Sequence, residues 1–164
     1  MTENPATSHV PGSALTRHAF FRAMAPEHVE RLAEVTRRTR LPARTRIFDE
    51  GGVADRFWLI EAGAVALDLV IPGRGHAVID TLVMGDVLGW SWLFTPYRWR
   101  FGAVTKGPFQ ALELDGRAVR AMCADDASLG YDLTQRFLAI ALHRLQSTRI
   151  RLIELYATPS EYHD

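Results

Sequence analysis

The chain has 164 residues, 48% of them hydrophobic and 23% charged, and a formal net charge of +0. This suffices for one well-cored domain and not for two, and the neutral balance gives no global field for nucleic acid or an anionic membrane. Cys123 is the sole cysteine, which excludes an internal disulfide and any cysteine-rich zinc or iron–sulfur site. No apolar run approaches the ~20 residues of a membrane span, and no signal-peptide core is visible. A cytoplasmic protein without a membrane partner is expected.

Residues 1–16 are rich in Thr, Ser, Pro, Ala and Gly and read as a disordered tail. A short apolar element follows at Ala19–Met24. Pro26-Glu27 then opens a helix, since Pro suits the first helical position and Glu favours the positive end of the dipole. Val29, Leu32, Ala33 and Val35 form its buried stripe.

From Thr36 to Leu114 the pattern becomes short and β-like, with turn residues at close intervals. Strands are expected at Arg46–Phe48, Phe57–Ile60, Val65–Ile71, Ala77–Val83, Gly102–Lys106 and Phe109–Leu114. Many short strands with frequent turn signals imply an antiparallel roll or barrel. Helix returns at Arg117–Met122 and again from about Asp126 to Tyr156. Asp126 or Ser128 is placed to cap the long helix, and Pro159 lies just past its end.

The long helix carries two apolar stripes. Leu129, Leu133, Phe137 and Ala141 are expected to pack on the roll. Leu138, Leu142, Leu145, Leu152 and Tyr156 follow a heptad-like spacing, with Arg149 in the missing position, and are expected to form a dimer seam. Arg144, Arg149 and Arg151 suggest an exposed outer face. The fold class is mainly β with flanking helices: a double-stranded β-helix, or jelly-roll-like β-roll, plus a long C-terminal helix. Its expected division is a tail over 1–16, the roll with its N-terminal helices over 17–125, and the long helix over 126–158.

Three motifs occur in order. Ile47-Phe48-Asp49-Glu50-Gly51-Gly52 runs on through Phe57-Trp58-Leu59-Ile60 to Gly63. Leu82-Val83-Met84-Gly85-Asp86-Val87-Leu88-Gly89 follows, and then Arg100-Phe101-Gly102-Ala103-Val104. With the terminal helix, they make residues 17–157 resemble the cyclic nucleotide-binding domain of the CRP/FNR superfamily, in a stand-alone form lacking the helix-turn-helix domain. The resemblance implies a phosphate cassette in which a helical turn after Gly89 points N–H groups at a cyclic phosphate. Arg100 would supply the counter-charge as a guanidinium fork.

The family places a Glu directly after the glycine to take the ribose 2′-hydroxyl, and a Ser or Thr directly after the Arg. This chain has Trp90 and Phe101 there. An unpartnered buried polar group costs about 1–3 kcal/mol, so losing both partners weakens nucleotide binding by roughly a hundredfold or more. The candidate ligand-binding residues are Gly89, Trp90, Ser91, Trp92, Leu93, Arg100, Phe101 and Gly102. Three readings stay open: a cyclic nucleotide, another small anionic ligand, or a cassette filled by its own side chains.

The resemblance also makes the long helix the expected homodimer interface, or a docking site for a protein that supplies the output. The sequence stops five residues after Pro159, so direct DNA binding is not expected. Arg37, Arg38, Arg40, Arg44 and Arg46 read as solvent-facing positions on early strands. His9, His18, His28, His76, His143 and His163 are too scattered for a cupin-type metal site. No nucleophile elbow, Walker loop or carboxylate pair is present. The expected function is a regulatory or sensor module and not an enzyme. The alternative is a ligand-independent scaffold subunit whose aromatic loop 90–101 is the contact surface.

Overall fold

The computed structural model describes residues 9–157. The chain opens with helix α1 (Gly12–Thr16), a 3-10 turn at Ala19–Phe21 and helix α2 (Pro26–Glu34). Strands β1 (Thr36–Leu41), β2 (Arg46–Phe48), β3 (Arg56–Ala62), β4 (Ala64–Ile71), β5 (Gly75–Val83) and β6 (Val87–Leu88) follow. A second 3-10 turn, Ser91–Leu93, precedes β7 (Gly102–Thr105) and β8 (Phe109–Asp115). Helices α3 (Gly116–Asp125) and α4 (Ala127–Tyr156) complete the order.

The strands pair antiparallel in two sheets, β1-β8-β3-β6 and β2-β7-β4-β5. This is the expected β-roll with flanking helices. β3 and β8 divide two apolar cores, which explains why β3 reads as an almost unbroken apolar run rather than an alternating one. Trp58 and Ile60 of β3, with Phe109 and Ala111 of β8, face the roll interior beside Val65, Leu67, Leu82, Leu88 and Trp99. Phe57 and Leu59, with Leu112 and Leu114, face the helices and meet Leu15, Phe21, Leu32, Val119, Leu129, Leu133 and Phe137.

The expected tail over 1–16 is overturned for its second half. Val10, Ala14 and Leu15 are buried, and α1 packs on α2. A helix of 5 residues is too short to show a periodic signal. Residues 1–8 lie outside the described part. β6 spans 2 residues and was not expected, for the same reason of length.

Asp126 caps α4: its Oδ1 accepts hydrogen bonds from the Ser128 and Leu129 N–H groups at 3.1 and 3.2 Å. Its Oδ2 meets Arg31 at 3.0 Å and His28 at 3.2 Å, tying the start of α4 to α2. Leu129, Leu133 and Phe137 are buried as expected. The second stripe, Leu138, Leu142, Leu145, Leu152 and Tyr156, is exposed. Arg144 departs from the expected outer face. It is half-buried, and its Nη2 donates to the Val87 carbonyl at 2.8 Å.

Candidate functional site

The cassette begins where the chain leaves β5. Gly85 turns it, β6 pairs with β3, and Gly89 follows with φ +90. That left-handed conformation favours glycine, and the 3-10 turn at Ser91–Leu93 comes next. On the other side, the loop before β7 is fixed by its backbone. Trp99 N–H donates to the Gly52 carbonyl at 2.9 Å, Gly51 N–H to the Trp99 carbonyl at 2.7 Å, and Ala54 N–H to the Tyr97 carbonyl at 2.8 Å. Tyr97 takes φ +54, a strained value for a bulky residue.

This anchoring turns the Trp99 indole into the roll. It is 5% exposed and stacks on Phe48, with ring centroids 3.9 Å apart and planes at 13°. Trp58 lies beside it, 6.0 Å away between centroids. The indole also covers Gly89: a Cβ added there would stand 2.9 Å from two ring carbons of Trp99. The cavity left between Gly89, Trp90, Ser91, Arg100 and Phe101 has a volume of ≈ 20 Å³. That holds about one water molecule, where small-molecule pockets run to roughly 300–1,000 Å³.

Five of the eight expected ligand-binding residues therefore converge: Gly89, Trp90, Ser91, Arg100 and Phe101. Trp92 and Leu93 do not. Trp92 is fully buried in the helical core, stacked on Phe57 at 4.7 Å and edge-on to Phe137 at 5.5 Å. Leu93 packs against the same core. A 3-10 turn repeats every three residues, so two of these side chains point away from the cassette. Gly102 serves a different purpose. A Cβ there would come within 2.2 Å of Asp68 Oδ1, so its bareness makes room for the Arg46–Asp68 pair.

Arg100 is exposed and makes no hydrogen bond or ion pair among the described residues. Residues that sequence reasoning did not assign to the site are Phe48, Leu67, Leu88, Trp99 and Arg144. Phe48 belongs to the motif that starts at Ile47 and Trp99 directly precedes Arg100, so the sequence places both near the site. Their inward orientation is not legible in it. Arg144 arrives from α4 and lays its guanidinium over the Trp90 ring, 4.5 Å from the centroid.

Two buried carboxylates brace the walls. Glu113 accepts from Arg37 Nη2 at 2.6 Å, Thr39 Oγ1 at 2.7 Å, Arg56 Nη1 at 3.2 Å and Trp58 Nε1 at 3.1 Å. Burial pushes its pKa up, but the hydrogen bonds from Thr39, Arg37 and Trp58 prevail and hold it below the usual value. Glu113 thereby orients Trp58, one wall of the aromatic stack. Asp68 forms a bidentate pair with Arg46, both contacts at 2.9 Å, and His76 Nδ1 approaches it at 3.4 Å. The Arg46 hydrogen bonds hold Asp68 below its ordinary pKa. Arg37 and Arg46 are thus solvent-exposed, as expected, and also paired. Among the described residues no cluster of three or more His, Cys, Asp and Glu is arranged to hold a metal, and no helix is long and apolar enough to cross a membrane.

The family model for the cyclic nucleotide-binding domain matches residues 38–126, the span that runs from β1 through the cassette to the start of α4. The chain belongs to the cyclic nucleotide-binding domain family. Within it, the chain is 24% identical over 144 residues to the CRP-like cAMP-activated global transcriptional regulator of Mycobacterium tuberculosis. That match takes in 88% of this chain and 62% of the regulator, so the domain spans less than two thirds of that relative's length. A cyclic nucleotide-binding domain from Methylobacillus flagellatus superposes with a TM-score of 0.72 at 21% identity, over 92% of this chain and 84% of that one. The Catabolite Activator Protein of Thermus thermophilus superposes with a TM-score of 0.64 at 22% identity, over 84% and 62% of the two chains. These likenesses establish the cyclic nucleotide-binding fold.

Proposed function

We propose that this cyclic nucleotide-binding domain is a regulatory module that works without a cyclic nucleotide in its cassette and acts through α4. The observation that carries the proposal is the Trp99 indole stacked on Phe48 over Gly89, which leaves ≈ 20 Å³. Trp90 and Phe101 support it. Neither offers the charged acceptor or hydroxyl that a ribose and a phosphate need, and an unmet buried polar group opposes binding. Arg100 is an unpaired charge among the described residues, and the cavity it borders has room for about one water molecule.

The output surface in this proposal is the exposed stripe Leu138, Leu142, Leu145, Leu152 and Tyr156, which pairs with a second copy as a two-stranded coil. A protein that supplies the output is the alternative occupant of the same stripe. The contact surface considered for the aromatic loop 90–101 draws less support, because Trp92 and Trp99 are buried and unavailable to a partner.

The test is thermal unfolding with and without millimolar cyclic AMP, cyclic GMP and cyclic dinucleotides, repeated on Arg100→Ala. A working micromolar site would add about 4 kcal/mol at millimolar ligand, a rise on the order of 10 °C for a chain of this size. The expected result is no rise with any nucleotide and unchanged stability of Arg100→Ala, within about 0.5 kcal/mol. A rise that Arg100→Ala abolishes would overturn the proposal.

A further inference from the structure

A second cavity, larger than the cassette remnant, lies on the opposite side of Arg144. It is an open cleft of ≈ 540 Å³ between α4, the end of β5 with its turn into β6, and the first 3-10 turn. Among the described residues Arg144 alone lines both cavities, so it stands between them. The cleft has the size of a small-molecule pocket.

Its walls differ in charge. Arg136, His143, Arg144 and Arg151 stand on the α4 side, and Asp80 and Asp86 on the roll side. Phe20, Leu82, Val87 and Ile140 supply apolar surface between them. The two carboxylates leave the helix wall poorly compensated. Asp86 spends one oxygen on the Val83 N–H at 2.8 Å. Asp80 reaches Arg151 only at 3.4 and 3.5 Å, long for a charged hydrogen bond. Arg136 is already satisfied, by Asp132 at 2.7 Å and by the Phe20 and Arg22 carbonyls.

Arg144 is the anomaly. It has no carboxylate within ion-pair distance among the described residues, and its partners are the Val87 carbonyl and the Trp90 ring. Burial disfavours its charge, and Asp80 and Asp86 offset this only from a distance. A desolvated guanidinium beside an open cleft, with a loosely held second guanidinium two turns on at Arg151, is the arrangement that a carboxylate or phosphate would complete.

The geometry points to this cleft as a binding site for a small organic monoanion with an apolar body, its acid on Arg144 and Arg151. The acid sits against the helix wall because Asp80 and Asp86 repel it from the other. The site does not compete with the proposed dimer seam. At about 100° per residue, the positions 136, 140, 143, 144, 147 and 151 lie on the far side of α4 from Leu138, Leu142, Leu145, Leu152 and Tyr156. A bound anion would hold α4 against the roll, which makes the cleft a route by which a ligand other than a cyclic nucleotide influences the helix. This last point rests on α4 being the output element. The binding site itself does not.

The experiment is an NMR titration of the full chain with 3-phenylpropionate, against the neutral 3-phenylpropanol. Saturable shifts at the Gly85, Ser147 and Thr148 amides are expected for the acid, with the alcohol at least about tenfold weaker. Arg144→Gln and Arg151→Gln should each weaken the acid by about tenfold, the scale of one charge-assisted contact. Arg151 is exposed at the surface, so its variant remains informative if Arg144→Gln perturbs the fold. Equal binding of acid and alcohol, shifts confined to other regions, or affinity untouched by Arg151→Gln would each overturn the site. Shifts at Gly89 and the Trp99 indole with cyclic AMP would instead count against the proposed function, so the two failures are distinguishable.

Discussion

The Trp99 side chain covers Gly89 and completes the roll core at the same time. Its ring closes the stack with Phe48 and Trp58, and Glu113 fixes Trp58 through the indole N–H. Trp99→Ala should therefore cost about 3–5 kcal/mol, as for other large-to-small aromatic changes in cores, measured by denaturant unfolding. A loss below about 1 kcal/mol would mean that the ring is not packed as described. Trimming the ring also opens the space over Gly89, which makes this variant the natural companion for nucleotide titrations.

His18 provides a second residue-level test. It is buried between the N-terminal turn and the roll, its Nδ1 accepts from the Phe20 N–H at 3.3 Å, and its Nε2 has no hydrogen-bond partner among the described residues. Burial lowers its pKa from 6.5, against smaller opposing pulls from the Ile60 carbonyl and Glu61. The unfolded chain then binds the proton before the folded one does. The His18 contribution is complete above about pH 6.5 and is lost as pH falls below it. The melting temperature should drop between about pH 7.5 and 5.5, and His18→Gln should flatten that dependence. A melting temperature that stays constant over this range, or one that His18→Gln leaves equally pH-dependent, would contradict it.

At the scale of elements, α4 carries the decisive division of labour. Leu129, Leu133 and Phe137 anchor its first half in the core, while Leu138, Leu142, Leu145, Leu152 and Tyr156 stay exposed. Leu142→Glu with Leu145→Glu should convert a dimer to a monomer in sedimentation velocity. The roll should keep its melting temperature within a few degrees, because these positions touch no core. A wild-type protein that is monomeric at all concentrations would remove the seam. The stripes of α4 were legible because 30 residues give the 3.6-residue period room to show. Most strands of the roll were legible from their turn residues, to within a residue or two. α1 and β6 were not, being shorter than the period that would reveal them. The site was half legible: Gly89, Trp90 and Arg100 come from motif order. Which of Trp92 and Trp99 enters the cassette depends on side-chain phase in an irregular loop, and no periodicity encodes that. The charge of Arg144 points to solvent, and the groove that receives it forms only when α4 meets the roll.

At the scale of the molecule, two cores share β3 and β8, and the cassette stands at their junction. Trp92 fills the helical core and Trp99 the roll core, so these two rings anchor the loop from Gly89 to Phe101 in both cores. Arg144 then bridges α4 to the same loop through Trp90. The most direct measurement is the indole N–H resonance of Trp99, followed by NMR while cyclic AMP is added to millimolar concentration. An unmoved resonance is expected, because the ring occupies the cassette and the nucleotide finds no space. A saturable shift of that resonance, with the ring displaced from Phe48, would show that the cassette opens to nucleotide and would contradict its occlusion by Trp99.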